Sequence, residues 1–422
     1  MEQSIAVYHT VLHRAVVIDL QKEEKPMQIR GKKEKTPLGL YIHVPFCRSK
    51  CQYCDFYSLP GGREGLMEGY LTAIRQQIKE NGPRATDYRV DTVYFGGGTP
   101  SYFGQEGLAS IMNTIRRHFD VAPDAEITFE ANPDSVNDKL LKRLKAEGFN
   151  RVSLGVQCDD DVILKKLGRP HNYGQVVTAV RKIRSAGFKN LSLDLIYGLP
   201  GQTLSAWRQT LENVLTLQPE HMSCYGLQVE EGTPLYEYRE IANLPDDDAQ
   251  ADMYMAAVEI LEDKGYKQYE ISNFARRGHR SAHNMKYWMG GEYIGFGPGA
   301  SSDFAGKRYK VEPNLEYYVE QIKNGGPILC ECDSIPPRER AGEYVMLRLR
   351  TTEGMDGVEY TKNFLLPFEP LERLLEDYKV RGLARQDEGR WMFTPKGFLI
   401  SNTLLGELLE AQEQSTPLAK RR

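Results

Sequence analysis

Long apolar runs are missing from this sequence. No hydrophobic stretch approaches the roughly 18 residues that a bilayer-spanning helix requires. The N-terminal segment carries Glu2, Asp19, Glu23 and Glu24, and it lacks the apolar core and small-residue cleavage site of a secretory signal. The expected compartment is therefore the cytoplasm, with peripheral contact at a membrane surface left open. An excess of one charge is absent too. With 54 Lys and Arg against 58 Asp and Glu, the net charge is −4 over 422 residues, so electrostatics give no basis for nucleic acid as a partner. Cysteine is sparse, at seven residues, which is too few for a disulfide scaffold in a chain of this length.

What cysteine there is, however, is concentrated. Cys47, Cys51 and Cys54 crowd into one short segment, while Cys158, Cys224, Cys330 and Cys332 are scattered. In a reducing compartment such clustering points to a metal or redox site. The segment runs Tyr-Ile-His-Val-Pro-Phe-Cys47-Arg-Ser-Lys-Cys51-Gln-Tyr-Cys54-Asp-Phe. Placed on a loop after a strand, spacings of this kind let three thiolates meet one face of an iron–sulfur cluster, whose irons favour soft anionic donors. Three protein ligands leave one iron of a four-iron cube open to a chelating cofactor. A structural zinc ion would call for a fourth ligand, and His43 is the residue at hand.

The rest of the chain alternates short apolar runs with amphipathic stretches. Strands are expected at 39–44, 91–95, 126–130, 151–156, 191–196 and 221–228, with helices between them at about 63–80, 106–119, 136–147, 172–187 and 203–217, and a further helix at 247–264. Strands alternating with helices imply parallel pairing through right-handed crossovers. Polar residues close nearly every strand, where a (β/α) barrel carries its chemistry. The fold class expected is thus α/β, a partial six-unit barrel over 37–265, with a doubly wound sheet as the alternative from periodicity alone. Residues 1–36 read as a flexible leader, 266–335 as a Gly- and aromatic-rich extension, 336–410 as a small α+β domain, and 411–422 as a charged tail.

Several polar residues occupy the expected strand ends. Tyr94-Phe95-Gly96-Gly97-Gly98-Thr99-Pro100 closes a strand with three glycines, and backbone without side chains approaches a ligand closely. Glu130, Gln157 and Asp194 fall at or past successive strand ends, suited to hydrogen-bonding a ribose, an amino group or a carboxylate. Arg169 offers a planar fork to a carboxylate. Each of these alone is more often a cap or a surface ion-pair partner; their shared position is what singles them out.

The spacing of the three cysteines is the CX3CX2C pattern of the radical S-adenosylmethionine (SAM) superfamily. Together with YFGGGTPSYF, FEANPDS, SLGVQ, LGRPH, DLIYGLPGQT and YEISNFA, it closely resembles the oxygen-independent coproporphyrinogen oxidase-like family over about 40–400. The resemblance implies a [4Fe–4S] cluster on Cys47, Cys51 and Cys54. It further implies that SAM chelates the open iron and is split by one electron into methionine and a 5′-deoxyadenosyl radical. By the same resemblance Tyr41, Tyr53, Gly97 and Glu130 surround that SAM. Gly98, Thr99, Gln157, Arg169 and Asp194 line the rest of the SAM region, and the C-terminal domain is winged-helix-like.

Two branches of this family differ at readable positions. The oxidase branch places a fourth cysteine two residues after the third, where this chain has Phe56. The HemW-type haem-chaperone branch has an aromatic there and an HNXXYW motif, matched by His283-Asn284-Met285-Lys286-Tyr287-Trp288. This resemblance implies haem as cargo, client haem proteins as partners, and an electron donor of flavodoxin or ferredoxin type. A neutral imidazole ligates haem iron and aromatics cover a porphyrin face, so His283 is the candidate axial ligand and Tyr287 and Trp288 candidate contacts. The plain alternative is a packed hairpin in which His283 hydrogen-bonds the backbone and Tyr287 and Trp288 fill a core. Oxidative decarboxylation of coproporphyrinogen III, or radical chemistry on another substrate, are the competing activities.

Overall fold

A computed structural model describes residues 34–61 and 64–418. The expected leader, up to residue 33, and the last four residues of the expected tail lie outside the described residues. Six strands, β1 (Thr36–Val44), β2 (Tyr88–Gly97), β3 (Val121–Ala131), β4 (Arg151–Gln157), β5 (Asn190–Tyr197) and β6 (His221–Gly226), lie side by side in chain order. Each is parallel to the next. Helices α1 (Glu64–Asn81), α2 (Gln105–His118), α3 (Asp138–Ala146), α4 (Tyr173–Ser185) and α5 (Leu204–Leu215) occupy the crossovers.

Alternation along each strand explains this arrangement. In β5, Leu191, Leu193 and Leu195 are fully buried in the hydrophobic core, each such side chain contributing about 1.5–3 kcal/mol. Their neighbours Ser192 and Asp194 point the other way, because successive side chains leave a strand on opposite faces. The same division holds in β4, where Val152, Leu154 and Val156 join the core and Arg151, Ser153 and Gln157 do not. The helices start where polar side chains satisfy their free N–H groups. Asn137 caps α3, Asn172 and Gln175 form a capping box on α4, and Thr203 caps α5.

The extension builds out both edges of the parallel array. Helix α6 (Asp247–Asp263) leads to β7 (Asn273–Ala275), antiparallel to β6. After α7 (Ala282–Trp288), β8 (Tyr293–Phe296) pairs parallel with β1, and β9 (Ser301–Phe304), β10 (Lys307–Val311) and β11 (Leu329–Ser334) follow antiparallel. With the short strand Lys267–Gln268 antiparallel to β7, the result is one 12-stranded sheet in which β1 and β6 do not meet, so the barrel is partial. The HNXXYW segment forms a helix, α7, rather than the hairpin alternative.

Past Pro336, helices at Pro337–Arg348, Gly357–Phe364, Glu369–Val380 and Ser401–Gln414 surround a three-stranded sheet of Met355–Asp356, Arg390–Phe393 and Ala384–Asp387. This is the winged-helix-like α+β unit, with Trp391 fully buried at its centre. Its last helix continues to Gln414, into the stretch expected as tail from 411. Backbone hydrogen bonds from Ile271 to Arg350 and from Thr352 to Tyr269, each 3.0 Å, join it to the extension.

Candidate functional site

The inward faces of β2 to β6 and the loop after β1 enclose a cavity of about 530 Å3. Cys47, Cys51 and Cys54 stand on its wall as free thiols. Their loop is held from several sides. Gln52 donates its N–H to the Leu167 carbonyl (3.0 Å) and accepts one from Leu235 (2.8 Å), and Arg48 pairs with the Asp134 carboxylate at 3.3 Å. The Thr99 hydroxyl donates toward the Cys47 sulfur (3.4 Å) and Arg169 Nη1 toward the Cys51 sulfur (3.6 Å).

Burial pushes the Cys47 and Cys54 thiols above their usual range, so ligation must displace their protons. The Thr99 hydroxyl favours the Cys47 thiolate, and it and the Arg169 guanidinium are the kind of outer contact that tunes a cluster. Three soft donors with a cationic neighbour, facing open space, fit an iron–sulfur cluster with one exposed iron. Among the described residues no three His, Cys, Asp or Glu side chains gather closely enough to hold a single metal ion. A cluster, which gives each thiolate its own iron, needs no such convergence. His43 is unsuited to zinc: its Nε2 donates to the Tyr57 carbonyl (2.8 Å), its Nδ1 meets the Tyr41 hydroxyl (3.1 Å), and burial holds it neutral, down at about 4.

The glycine turn locks against this loop. Gly97 has φ of +105°, and a Cβ there would fall 2.5 Å from the His43 ring. At Gly98 a Cβ would stand 2.8 Å from the carbonyl oxygens of Val44 and Phe46. The N–H groups of Gly98 and Thr99 bond those same two carbonyls, at 2.9 and 2.8 Å. Only bare backbone permits this approach.

Glu130 closes the cavity beside the turn. It accepts hydrogen bonds from the Tyr94 hydroxyl (2.9 Å) and the Gly97 N–H (3.2 Å). Burial nonetheless raises its carboxyl to about 7, outweighing those donors. Arg169 gives Nη2 to Asn132 (2.7 Å) and to the Gly155 carbonyl (2.9 Å), while its Nε is buried without a partner. Gln157, at φ of +70°, holds a left-handed backbone without being glycine, a strain of about 1–3 kcal/mol of the kind that collects at functional sites. Asp194 accepts from Ser153 (2.7 Å), Ser192 (2.8 Å) and Ser223 (2.7 Å).

The cavity wall thus brings together Cys47, Cys51, Cys54, Tyr53, Gly97, Gly98, Thr99, Glu130, Gln157, Arg169 and Asp194. Tyr41 sits behind it, its ring stacked 6.3 Å from that of Tyr94. His283 is also away from the wall. It is 1% exposed, its Nδ1 engages the Thr92 hydroxyl (2.9 Å), its Nε2 engages the Tyr287 hydroxyl (2.7 Å), and burial lowers it to about 3. Both nitrogens of His283, the residue expected to face haem iron, are thus bonded inside the fold in this structure. Tyr287 is likewise committed, to His283 and edge-on to Tyr293. Trp288 is half-buried at the end of α7. The motif residue that does reach the cavity is Asn284, and Tyr94, Asn132, Arg151, Ser153, Ser223 and Tyr225 join it there. Of these, Tyr94 and Asn284 belong to motifs already singled out in the sequence, whereas Arg151, Ser153, Ser223 and Tyr225 were signalled only by polar residues at alternate strand positions.

Known proteins resemble this chain over most of its length. The model of the radical SAM superfamily matches residues 41–214, and that of the HemN C-terminal domain matches 335–400. The heme chaperone HemW of Bacillus subtilis is 35% identical over 373 residues, covering 87% of this chain and 98% of the relative. A mouse protein, radical S-adenosyl methionine domain-containing protein 1, mitochondrial, is 32% identical, covering 90% of this chain and 89% of its own. Among solved structures, coproporphyrinogen III oxidase (HemN) of Escherichia coli, a radical SAM enzyme, superposes with a TM-score of 0.78 at 25% identity over 91% of both chains.

Proposed function

Because the chain belongs to the HemW family of the radical SAM superfamily, we propose that it is a haem chaperone, binding haem and handing it to client haem proteins. Similarity along nearly the full length of relatives so named carries the reading. Phe56 supports it: this side chain, 69% exposed and on the cavity wall, stands where the oxidase branch has a fourth cysteine.

In this reading Cys47, Cys51 and Cys54 hold the cluster, and SAM lies in the cavity alongside Tyr53, the glycine turn and Glu130. Together the cluster and SAM supply one-electron cleavage of a sulfonium. The chain's own residues do the positioning. Arg169 and Thr99 would steady the thiolates, Glu130 would accept a hydrogen bond from the amino group, and Asp194, held by three serine hydroxyls, would offer a fixed acceptor. Within the HNXXYW segment, half-buried Trp288 would supply the aromatic contact to a porphyrin face. No helix among the described residues is long and apolar enough to cross a membrane. Free thiols and a redox cluster suit a cytoplasmic protein served by a flavodoxin- or ferredoxin-type donor.

The oxidase is the second reading, favoured by the HemN superposition. One preparation separates the two: anaerobically reconstituted protein is assayed for haem transfer to an apo-haem protein and for decarboxylation of coproporphyrinogen III. Transfer without decarboxylation supports the chaperone; turnover of the porphyrinogen overturns it.

A further inference from the structure

Behind the cavity wall, a line of buried hydrogen bonds runs from Asp194 to the start of α7. The Ser192 hydroxyl lies 2.8 Å from Asp194 Oδ1 and 2.8 Å from His221 Nδ1. His221 Nε2 lies 2.7 Å from the Tyr269 hydroxyl, which the backbone N–H of Ser281 reaches at 3.3 Å. Ser192, His221, Tyr269 and Ser281 are all fully buried, and the Ser281 side chain caps α7. Asp194 also accepts from Ser153 and Ser223, but Ser192 is the hydroxyl that carries the line away from the wall. It starts in β5, passes through β6 at His221, and crosses the segment between α6 and β7 at Tyr269.

One placement of the protons satisfies every bond in the line. A carboxylate only accepts, so the Ser192 O–H goes to Asp194 and His221 must donate from Nδ1. Burial holds His221 well below the ordinary histidine range. The neutral ring therefore leaves Nε2 bare, and the Tyr269 O–H donates to it. The Tyr269 oxygen is then left to accept, and what faces it is a backbone N–H, which can only donate. Both ends thus fix the same direction independently. Hydrogen bonds aligned in this way in a dry interior polarise one another, so a change at one end is felt along the line.

We propose that His221 and Tyr269 are positioning residues, which hold Asp194 as an acceptor on the cavity wall and link ligand binding there to the first turn of the HNXXYW helix. The link rests on the proposed function, in which SAM occupies the cavity. SAM dissociation constants are measured on the anaerobically reconstituted full chain for wild type, Asp194→Asn, Tyr269→Phe and the double variant, with iron content recorded for each. Hydrogen–deuterium exchange in the first turn of α7 is followed with and without SAM.

Asp194→Asn should weaken SAM by about tenfold and Tyr269→Phe, which removes one hydroxyl, by about threefold. The double variant should be no weaker than Asp194→Asn, because both changes act on one interaction. SAM should slow exchange in α7 of the wild type and leave it unchanged in Tyr269→Phe. A hydroxyl with a structural role alone would raise exchange equally with and without SAM. If Tyr269→Phe fails to fold, Ser192→Ala carries the exchange test, since it cuts the line at the end away from α7; SAM dependence should vanish there too. Losses that multiply in the double variant, or exchange in wild-type α7 that ignores SAM, overturn the link while leaving the proposed function standing. A wild type that holds iron but binds no SAM overturns the proposed function and the link together.

Discussion

The rings of His283 and Tyr94 stack, with centroids 5.2 Å apart and planes inclined by 24°. Tyr94 in turn donates its hydroxyl to Glu130. The HNXXYW helix is therefore mechanically part of the cavity: His283 underlies the aromatic floor, Asn284 reaches the wall, and Lys286 anchors the helix to Asp91 at 2.9 Å.

His283→Ala removes that stack and two buried hydrogen bonds. The expected cost is about 2–4 kcal/mol of stability, read as a lower urea midpoint. The axial-ligand features of the bound-haem spectrum should stay as in wild type. A changed axial spectrum in a folded variant would return His283 to the role of iron ligand.

Cys51→Ala should abolish the intact cluster, leaving no iron or a labile three-iron form without the brown absorbance of the full site. Four irons per chain in that variant would contradict the ligand assignment.

Gly98→Ala places a Cβ 2.8 Å from two carbonyl oxygens of the segment entering the cysteine loop. The turn and loop must then separate, and the thiols with them. Iron retention after reconstitution should fall well below wild type while the far-ultraviolet dichroism changes little. Normal iron content would show that the loop tolerates the separation.

Glu130 gives a pH test. Its folded value, about 7, lies above that of an unfolded glutamate, so the folded state binds the extra proton between about 4.5 and 7. Its contribution to stability is therefore full at low pH and declines as pH rises through that window. Buried His43, at about 4, and His283, at about 3, act in the opposite sense, losing stability as pH falls from about 6.5. Comparing wild type with Glu130→Gln isolates the carboxyl: the difference in unfolding free energy should shift in the variant's favour by up to about 1.4 kcal/mol per pH unit across the window. A pH-independent difference would show that Glu130 keeps an ordinary value.

Much of this architecture was legible because it is local. The six parallel strands and their helices announce themselves through alternation and amphipathic spacing, and the observed ends differ from the expected ones by a few residues. The cysteine loop was legible through chemistry, since three thiols so close together have few other uses. What stayed hidden depends on distant partners. Tyr293–Phe296 is a short apolar run whose place beside β1 is set by pairing with Gly39 to Ile42, a contact that no local pattern encodes. Arg151 reads as a charge at a strand edge until the fold turns it inward. His283 looks like an available imidazole until Thr92 and Tyr287 are brought to its two nitrogens.

The most direct test is iron, sulfide and zinc analysis of anaerobically reconstituted wild type, with the electron paramagnetic resonance of the reduced protein recorded before and after SAM is added. The account predicts four irons and four sulfides per chain and a spectrum that SAM alters. Zinc in place of iron, or a four-iron signal indifferent to SAM, would contradict it.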